Sequence, residues 1–176
     1  MEIPLDIDTL RRAAAAGSNL RYRYFWGHKP RPDGHLSDSI FSQWWPCRFT
    51  VDGQLYTTAE QFMMAGKARL FRDAEALTKI LETNDPAACK ALGRKVENFA
   101  DLAWAGARFD LVTRGNVAKF GQQPAYREYL LGTGDEILVE ASPRDQIWGS
   151  PRGLVGRLRA THCRLGVVEY GLEVDA

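Results

Sequence analysis

A carboxylate and an amine lie seven residues apart in a segment that directly follows a predicted hairpin. The segment runs from Thr57 to Lys67, and its pattern predicts the first turns of a helix. At about 100° per residue, Glu60 and Lys67 return to nearly the same helix face, about 10 Å apart along the axis. That separation is too long for an ion pair, but it suits a small polar ligand lying over Met63 and Met64. The two groups suit proton transfer or covalent chemistry at a sugar carbon.

Both groups also have simpler interpretations, which the sequence leaves open. Thr57-x-x-Glu60 matches a capping box, and so does Thr58-x-x-Gln61. The two roles can share one turn if Gln61 caps the helix and Glu60 is left for chemistry. Lys67 can equally be an ordinary solvated lysine on the helix surface.

The elements that position this helix follow from local signals. Asp52-Gly53, between β-rich runs at residues 48–51 and 54–57, predicts a hairpin. A further helix is expected over residues 74–83. Asp85-Pro86 predicts the start of the next one, which ends near Leu92-Gly93.

The longest predicted helix starts with Asp101 as a possible cap and runs to about Phe120. We expect its apolar face to hold Leu102, Ala105, Phe109 and Val112, and the face can extend to Phe120. Asp110 and Arg114, four residues apart, are spaced for a surface ion pair.

The remaining elements complete a helix-rich α+β fold in a single domain with a small β-sheet or hairpin and several packed helices. Strands are predicted at residues 20–26 and 137–141, and a helix at residues 124–131. Residues 5–16 predict a short helix, so we interpret residues 1–19 as an N-terminal appendage and residues 20–176 as the domain.

Composition excludes several classes of protein. A chain of 176 residues with 45% hydrophobic residues suits one globular domain. The net charge of +1 provides no broad field for nucleic acid. The acidic start, interrupted by Pro4, is unlike a signal peptide, and we expect a cytoplasmic location. We assign no metal and no cofactor, because neither the histidines nor the three cysteines show metal spacing: Cys47, Cys89 and Cys163.

Further residues are candidates for binding a substrate. Ser42, Gln43 and Trp44 combine polar groups with an aromatic that is equally suited to the core. Trp148, in Asp145-x-x-Trp148-Gly149, lies just past a predicted strand, where it can stack on a ligand or fold over the core. Arg94 can meet a phosphate, although a basic residue near a helix C-terminus is favourable without any ligand.

In combination, these residues resemble the NADAR family, also called YbiA-like. The resemblance runs from about Tyr24 to Gly149, and no single motif decides it. Its marks, in chain order, are Phe41-Ser42-Gln43-Trp44, Tyr56-x-Thr58-Ala59-Glu60-Gln61-Phe62, the spacing from Glu60 to Lys67, Leu92-Gly93-Arg94, Trp104 with Arg108, Ala118-Lys119-Phe120, Leu130-Leu131-x-Thr133-Gly134, Leu138-Val139-Glu140-Ala141 and Asp145-x-x-Trp148-Gly149.

The resemblance implies an N-glycosidase that splits a bond between a ribose carbon and a base nitrogen. One branch of the family acts on phosphoribosylamino-pyrimidine intermediates of riboflavin synthesis, and another removes ADP-ribose from guanine. The implied partner is therefore a small nucleotide or ADP-ribosylated nucleic acid. The resemblance also implies Glu60 and Lys67 as catalytic residues, and it supports Trp148, Asp145 and, less firmly, Trp104 and Arg94 as substrate-binding residues.

One segment departs from the family pattern. The family usually closes with Gly-x-Asn-x-Leu-Gly, whereas here Leu165-Gly166 is kept and the asparagine is missing, so residues 150–176 are divergent. A non-catalytic module that binds ADP-ribose or a nucleotide is therefore the alternative hypothesis. A third hypothesis is nucleic-acid contact through basic and aromatic residues near the start of the domain: Arg21, Arg23, Lys29 and Arg31 beside Tyr22, Tyr24 and Trp26.

Overall fold

The computed structural model describes Arg12 and residues 15–141. These residues belong to two compact units: residues up to Ser42 together with those from Pro124 onward, and Gln43–Gln123. Helices predominate and the sheets are small, so the predicted helix-rich α+β class is confirmed. The elements in chain order are β1 (Tyr22–Phe25), a short 3-10 helix (Asp38–Phe41), β2 (Phe49–Val51), β3 (Gln54–Tyr56), α1 (Ala59–Leu70), α2 (Ala74–Glu82), α3 (Pro86–Gly93), α4 (Asp101–Gly121), α5 (Pro124–Leu131) and β4 (Ile137–Glu140).

The first unit is built on a parallel pair of strands. β1 pairs with β4 in a register that sets Tyr22 opposite Ile137 and Phe25 opposite Glu140, so both predicted strands are confirmed. The Phe25 ring meets the Phe41 ring edge to face, with centroids 5.7 Å apart. Arg23 is hydrogen-bonded to Glu136 and also to Asp38, at 3.2 Å. This arginine therefore ties β1 to the residue before β4 and to the 3-10 helix.

The hairpin of the second unit joins β2 and β3 through Asp52 and Gly53. Both turn residues have positive φ, 51° and 77°, which suits a two-residue hairpin and confirms the prediction. Gln122, at the end of α4, accepts from the Thr50 N–H at 2.8 Å and donates to the Thr50 carbonyl at 2.7 Å. The hairpin is thereby attached to the longest helix.

Helix α1 begins at a side-chain cap. The Thr58 hydroxyl accepts a hydrogen bond from the Gln61 N–H at 3.1 Å, and the Gln61 side-chain oxygen accepts from the Thr57 N–H at 2.8 Å. The Gln61 amide also donates to the Thr83 carbonyl at 2.8 Å, beyond the end of α2. Thr58 and Gln61 therefore form the cap, as one of the two sequence interpretations predicted.

Close approaches at glycine let the other helices pack on α1. A Cβ at Gly115 would lie 2.8 Å from the Phe62 ring, and one at Gly93 would lie 2.0 Å from the Met64 sulfur. Since real Cβ atoms essentially never come this close, a larger residue at either position would force the Phe62 ring or the Met64 side chain to move.

Gly115→Ala is expected to lower the free energy of unfolding by about 1–3 kcal/mol, because the Phe62 ring cannot swing aside as a flexible chain can. Gly106→Ala, on the same helix, is the matched control. Its Cβ would meet nothing within 4 Å, so helix propensity should stabilise the protein by about 0.5–1 kcal/mol. Denaturant titrations of both variants test the pair. Equal effects of the two substitutions would contradict the packing argument.

Three expectations for α4 are wrong. Asp101 is the first helical residue and not the cap, which is Ala100 without a side-chain hydrogen bond. Leu102 is 91% exposed and Ala105 is also exposed, because in the first turns of α4 it is Trp104 that faces α1, with its ring near the Lys67 amine. Arg114 bonds to Asp52 of the hairpin at 2.6 Å, in place of the helical pair expected with Asp110.

Both other helices of the second unit begin as predicted. Asp85 accepts from the Ala87 and Ala88 N–H groups ahead of α3, and α2 covers the expected segment within one residue. Of the predicted N-terminal helix, Arg12 and Ala15 are helical, and its other residues before Ala15 lie outside the description. No helix in the described part of the chain is long and apolar enough to cross a membrane.

Candidate active site

The first turn of α1 is joined to the predicted polar segment around Gln43. The Glu60 N–H, one of the backbone donors that a helix start leaves unpaired, donates to the Gln43 carbonyl at 2.9 Å. The Gln43 side-chain amide donates in turn to the Asn116 oxygen at 3.0 Å. Gln43 therefore lies between the start of α1 and the interior of α4.

The Glu60 side chain is buried. Only 3% of the residue is exposed, and its negative charge contributes to the environment of Cys89 on α3. Burial, followed by the charges of Glu60 and Asp85, raises the pKa of the Cys89 thiol to about 11. Cys89 is therefore a neutral thiol at physiological pH, as expected for a small buried apolar residue. A carboxylate withdrawn from water in this way acts strongly on any charge that forms beside it.

The Lys67 amine is held on several sides. Its Nζ donates to the Gly93 carbonyl at the end of α3 at 2.8 Å. The same atom lies 4.2 Å from the centroid of the Phe99 ring and 5.4 Å from that of the Trp104 ring. Burial lowers the pKa of Lys67, and the charge of Asp101 opposes this shift. A lowered pKa increases the neutral fraction of the amine, which is the nucleophilic form.

Asp101→Asn should move the Lys67-dependent limb of the pH profile of kcat to lower pH. Removing the negative charge removes the one contribution that raises the pKa of Lys67, so that pKa falls further. A nucleophilic amine gives a limb that rises with pH, whereas a proton donor gives one that falls with pH. Asp110→Asn, an equally exposed change on the same helix, should leave the limb in place. A limb that does not move in Asp101→Asn would contradict the assignment of that limb to Lys67.

Both candidate catalytic groups belong to one helix and are wholly or partly withdrawn from water. Glu60 is buried in the first turn of α1, and Lys67 is half-buried two turns later. Met63 and Met64 lie between them along the helix and are buried, each 7% exposed. The arrangement supplies an acid and an amine seven residues apart on one helix, a rise of about 10 Å along its axis, with a thiol near the acid and aromatic rings near the amine. It can act on a bond with a developing positive charge at one end and a leaving nitrogen at the other.

The structure places the other predicted binding residues as follows. Trp44 is half-buried, with the Lys90 ammonium 5.8 Å from its ring centroid. Trp104 forms part of the Lys67 surroundings described above. Arg94 caps the end of α3 with its backbone and is exposed. Ser42 is buried, 9% exposed, and Asp145 and Trp148 lie outside the described residues.

Two residues at this site were missed by the sequence analysis. Phe99, the closest ring to the Lys67 amine, lies in an irregular segment and has no local signal. Asn116 is fully buried, and within the described residues its side-chain nitrogen has no hydrogen-bond partner. A signal for Asn116 did exist, because it lies four residues after Val112 on the predicted apolar face of α4.

Within Arg12 and residues 15–141, no three His, Cys, Asp or Glu side chains are grouped to hold a metal ion.

Sequence comparison identifies relatives of this chain. Residues 24–161 match the NADAR domain family. The chain is 43% identical over 134 residues to N-glycosidase R617 of Acanthamoeba polyphaga mimivirus, over 73% of this chain and 77% of that protein. It is 30% identical over 110 residues to Riboflavin biosynthesis protein VVA0006 of Vibrio vulnificus, over 62% of this chain and 29% of that protein.

Structural comparison gives the same result. The NMR structure of the Escherichia coli protein YbiA matches with a TM-score of 0.65 at 25% identity, over 83% of this chain and 79% of that one. In sequence, N-glycosidase YbiA of Escherichia coli K12 is 29% identical over 105 residues, which are 60% of this chain and 62% of that protein. The sequence matches thus span less than two thirds of the length of the Vibrio protein and of Escherichia coli YbiA.

The chain therefore belongs to the NADAR domain family. The predicted family and the predicted YbiA-like fold are both confirmed. Relatives named as N-glycosidases support the class of enzyme predicted from the sequence, an N-glycosyl hydrolase.

Proposed function

We propose that this protein hydrolyses the bond between the anomeric carbon of a ribose and a base nitrogen. The observation that carries the proposal is the pair of groups on α1: a buried carboxylate and, two turns away, an amine whose pKa burial lowers. The similarity to named N-glycosidases supports the reaction class independently of this geometry.

The chemistry of the bond matches the two groups. Breaking an N-glycosidic bond builds positive charge on the ribose ring and negative charge on the departing base. Glu60 stabilises the ribose charge or directs the attacking water. Lys67 protonates the leaving nitrogen, or it attacks the anomeric carbon of the opened sugar.

The covalent route balances as follows. The lone pair of neutral Lys67 forms a bond to the anomeric carbon, and the bond from that carbon to the base nitrogen breaks. The base leaves with one proton of the amine. The bond from the anomeric carbon to the ring oxygen then breaks as the C=N bond forms, and the ring oxygen takes the second amine proton, so that the lysine and the opened sugar remain joined as an imine. Water then adds to the imine carbon, which releases the sugar aldehyde and regenerates the amine.

The substrate has two candidate forms, a phosphoribosylamino-pyrimidine intermediate of riboflavin synthesis and ADP-ribosylated guanine. The similarity to the Vibrio riboflavin biosynthesis protein supports the first. In either case Trp148 is proposed to stack on the base and Asp145 to bind ribose hydroxyls or base nitrogens. Arg94, exposed at the end of α3, is the proposed phosphate contact. Ser42, Gln43, Trp44 and Trp104 are proposed as further substrate contacts.

A side-by-side hydrolysis assay tests the proposal. The full chain is incubated with each substrate, and the released base is separated by chromatography. A second protein, with residues 150–176 restored to the family pattern, shows whether the divergent tail limits turnover. Release of base from one substrate supports the proposal and identifies that substrate. Tight binding without release by either protein would instead assign a non-catalytic nucleotide-binding module.

A further inference from the structure

Phe99 is an exposed aromatic ring in direct contact with the proposed catalytic amine. Its ring centroid lies 4.2 Å from the Lys67 Nζ, although 42% of Phe99 is exposed. The preceding residue, Asn98, has a φ of 53°, in the left-handed region that residues other than glycine rarely adopt. The backbone therefore turns sharply just before Phe99, and the turn leads the chain to the position where its ring meets the amine.

We infer that Phe99 is a positioning residue, which holds the Lys67 amine in the orientation needed to act on the bond that breaks. The inference rests on the proposed function, because it concerns the amine that acts there. The Lys67 side chain has several rotatable bonds. Its hydrogen bond to the Gly93 carbonyl therefore fixes how far the amine lies from α3, but it does not fix the direction in which the amine points. The ring face restricts the direction, because an ammonium is attracted to the face of an aromatic ring and not to its edge.

The position of Phe99 is itself supported. The Phe71 ring meets it edge to face, with centroids 5.3 Å apart and planes at 63°. Phe71 is buried next to the end of α1, the helix that carries Lys67. Both groups are therefore held at the C-terminal end of α1. The Phe99 ring is held there by packing on Phe71, and the Lys67 amine belongs to a residue in the last turn of the helix. Trp104 is a weaker partner, at 5.4 Å from the amine.

Kinetics of matched variants give the first test. Phe99→Leu keeps an apolar side chain and removes the ring, so kcat should fall about tenfold with KM nearly unchanged. Phe99→Tyr restores a ring face and should restore kcat. Leu102→Ala removes a neighbouring side chain that is 91% exposed and should keep the kcat of the unaltered protein.

An NMR measurement without substrate gives the second test. Protons on the ε-carbon of Lys67, assigned by comparison with Lys67→Arg, should be shifted upfield by the ring current of Phe99. Phe99→Leu should remove most of that shift, and Phe99→Tyr should keep it. Because the measurement involves no turnover, it reports the contact whether or not the substrate has been identified.

The outcomes separate the inference from the proposed function. Loss of both the upfield shift and kcat in Phe99→Leu, with recovery of both in Phe99→Tyr, supports the inference. Unchanged kcat in Phe99→Leu overturns it, as does an equal loss in Leu102→Ala or an ε-proton shift that does not depend on the ring. Absence of turnover in the unaltered protein on both substrates overturns the proposed function itself, whatever the NMR result.

Discussion

Replacing Glu60 with glutamine is expected to lower kcat by about 10²–10⁴-fold while the protein stays folded. Glutamine keeps the size of the side chain and removes the charge and the basic oxygen. The Glu60 N–H bond to Gln43 and the Thr58–Gln61 cap involve no atom of the Glu60 carboxylate, so both survive the change. Chromatography of the released base measures kcat, and thermal denaturation checks the fold.

The matched control for this variant is Glu82→Gln. Glu82 is exposed at the end of α2, so the same charge change there should leave kcat unaltered. A drop in both variants would indicate a general effect of net charge. Turnover at the unaltered rate in Glu60→Gln would remove Glu60 from the mechanism.

Replacing Lys67 with arginine is expected to lower kcat by about 10³-fold or more if the reaction passes through an imine. Arginine keeps a positive charge near Phe99 and Trp104, but its guanidinium does not lose a proton in proteins and cannot form the imine. Borohydride added during turnover should reduce the imine of the unaltered protein to a stable adduct, located on Lys67 by mass spectrometry. No adduct is expected in Lys67→Arg.

Lys95→Arg provides the control for the trapping experiment. Lys95 is exposed two residues after Gly93, so this variant tests a nearby amine that should not react with the sugar. It should form the adduct at the unaltered rate. An adduct that persists in Lys67→Arg would show that another amine attacks. Full turnover of the unaltered protein without any trapped adduct would favour proton donation by Lys67 over the imine route.

Elements whose cause is local were predictable from the sequence. The hairpin depends on two adjacent turn residues, Asp52 and Gly53, whose positive φ values few other pairs adopt readily. The start of α1 depends on a hydroxyl and an amide three residues apart, Thr58 and Gln61. In both cases the residues that determine the local geometry are at most three positions apart in the sequence. The sequence pattern alone therefore predicts the element.

The surroundings of the amine were not predictable, because they come from distant segments. The Lys67 amine bonds to a backbone carbonyl 26 residues away, at Gly93, and any residue type supplies a carbonyl. The exposure of Leu102 has a similar origin. Its apolar spacing continued that of Phe109 and Val112, but periodicity cannot show where the neighbouring elements end.

One helix carries both the acid and the amine, so the backbone hydrogen bonds of that helix set their spacing. A change in the backbone separation of Glu60 and Lys67 would require unwinding of α1, whereas the direction of the amine depends on the contacts of the lysine side chain. Any substrate of the proposed reaction must therefore fit a fixed backbone spacing between the acid and the amine. In the proposed mechanism, changes in the surrounding segments can alter which substrate binds while the spacing of Glu60 and Lys67 stays the same.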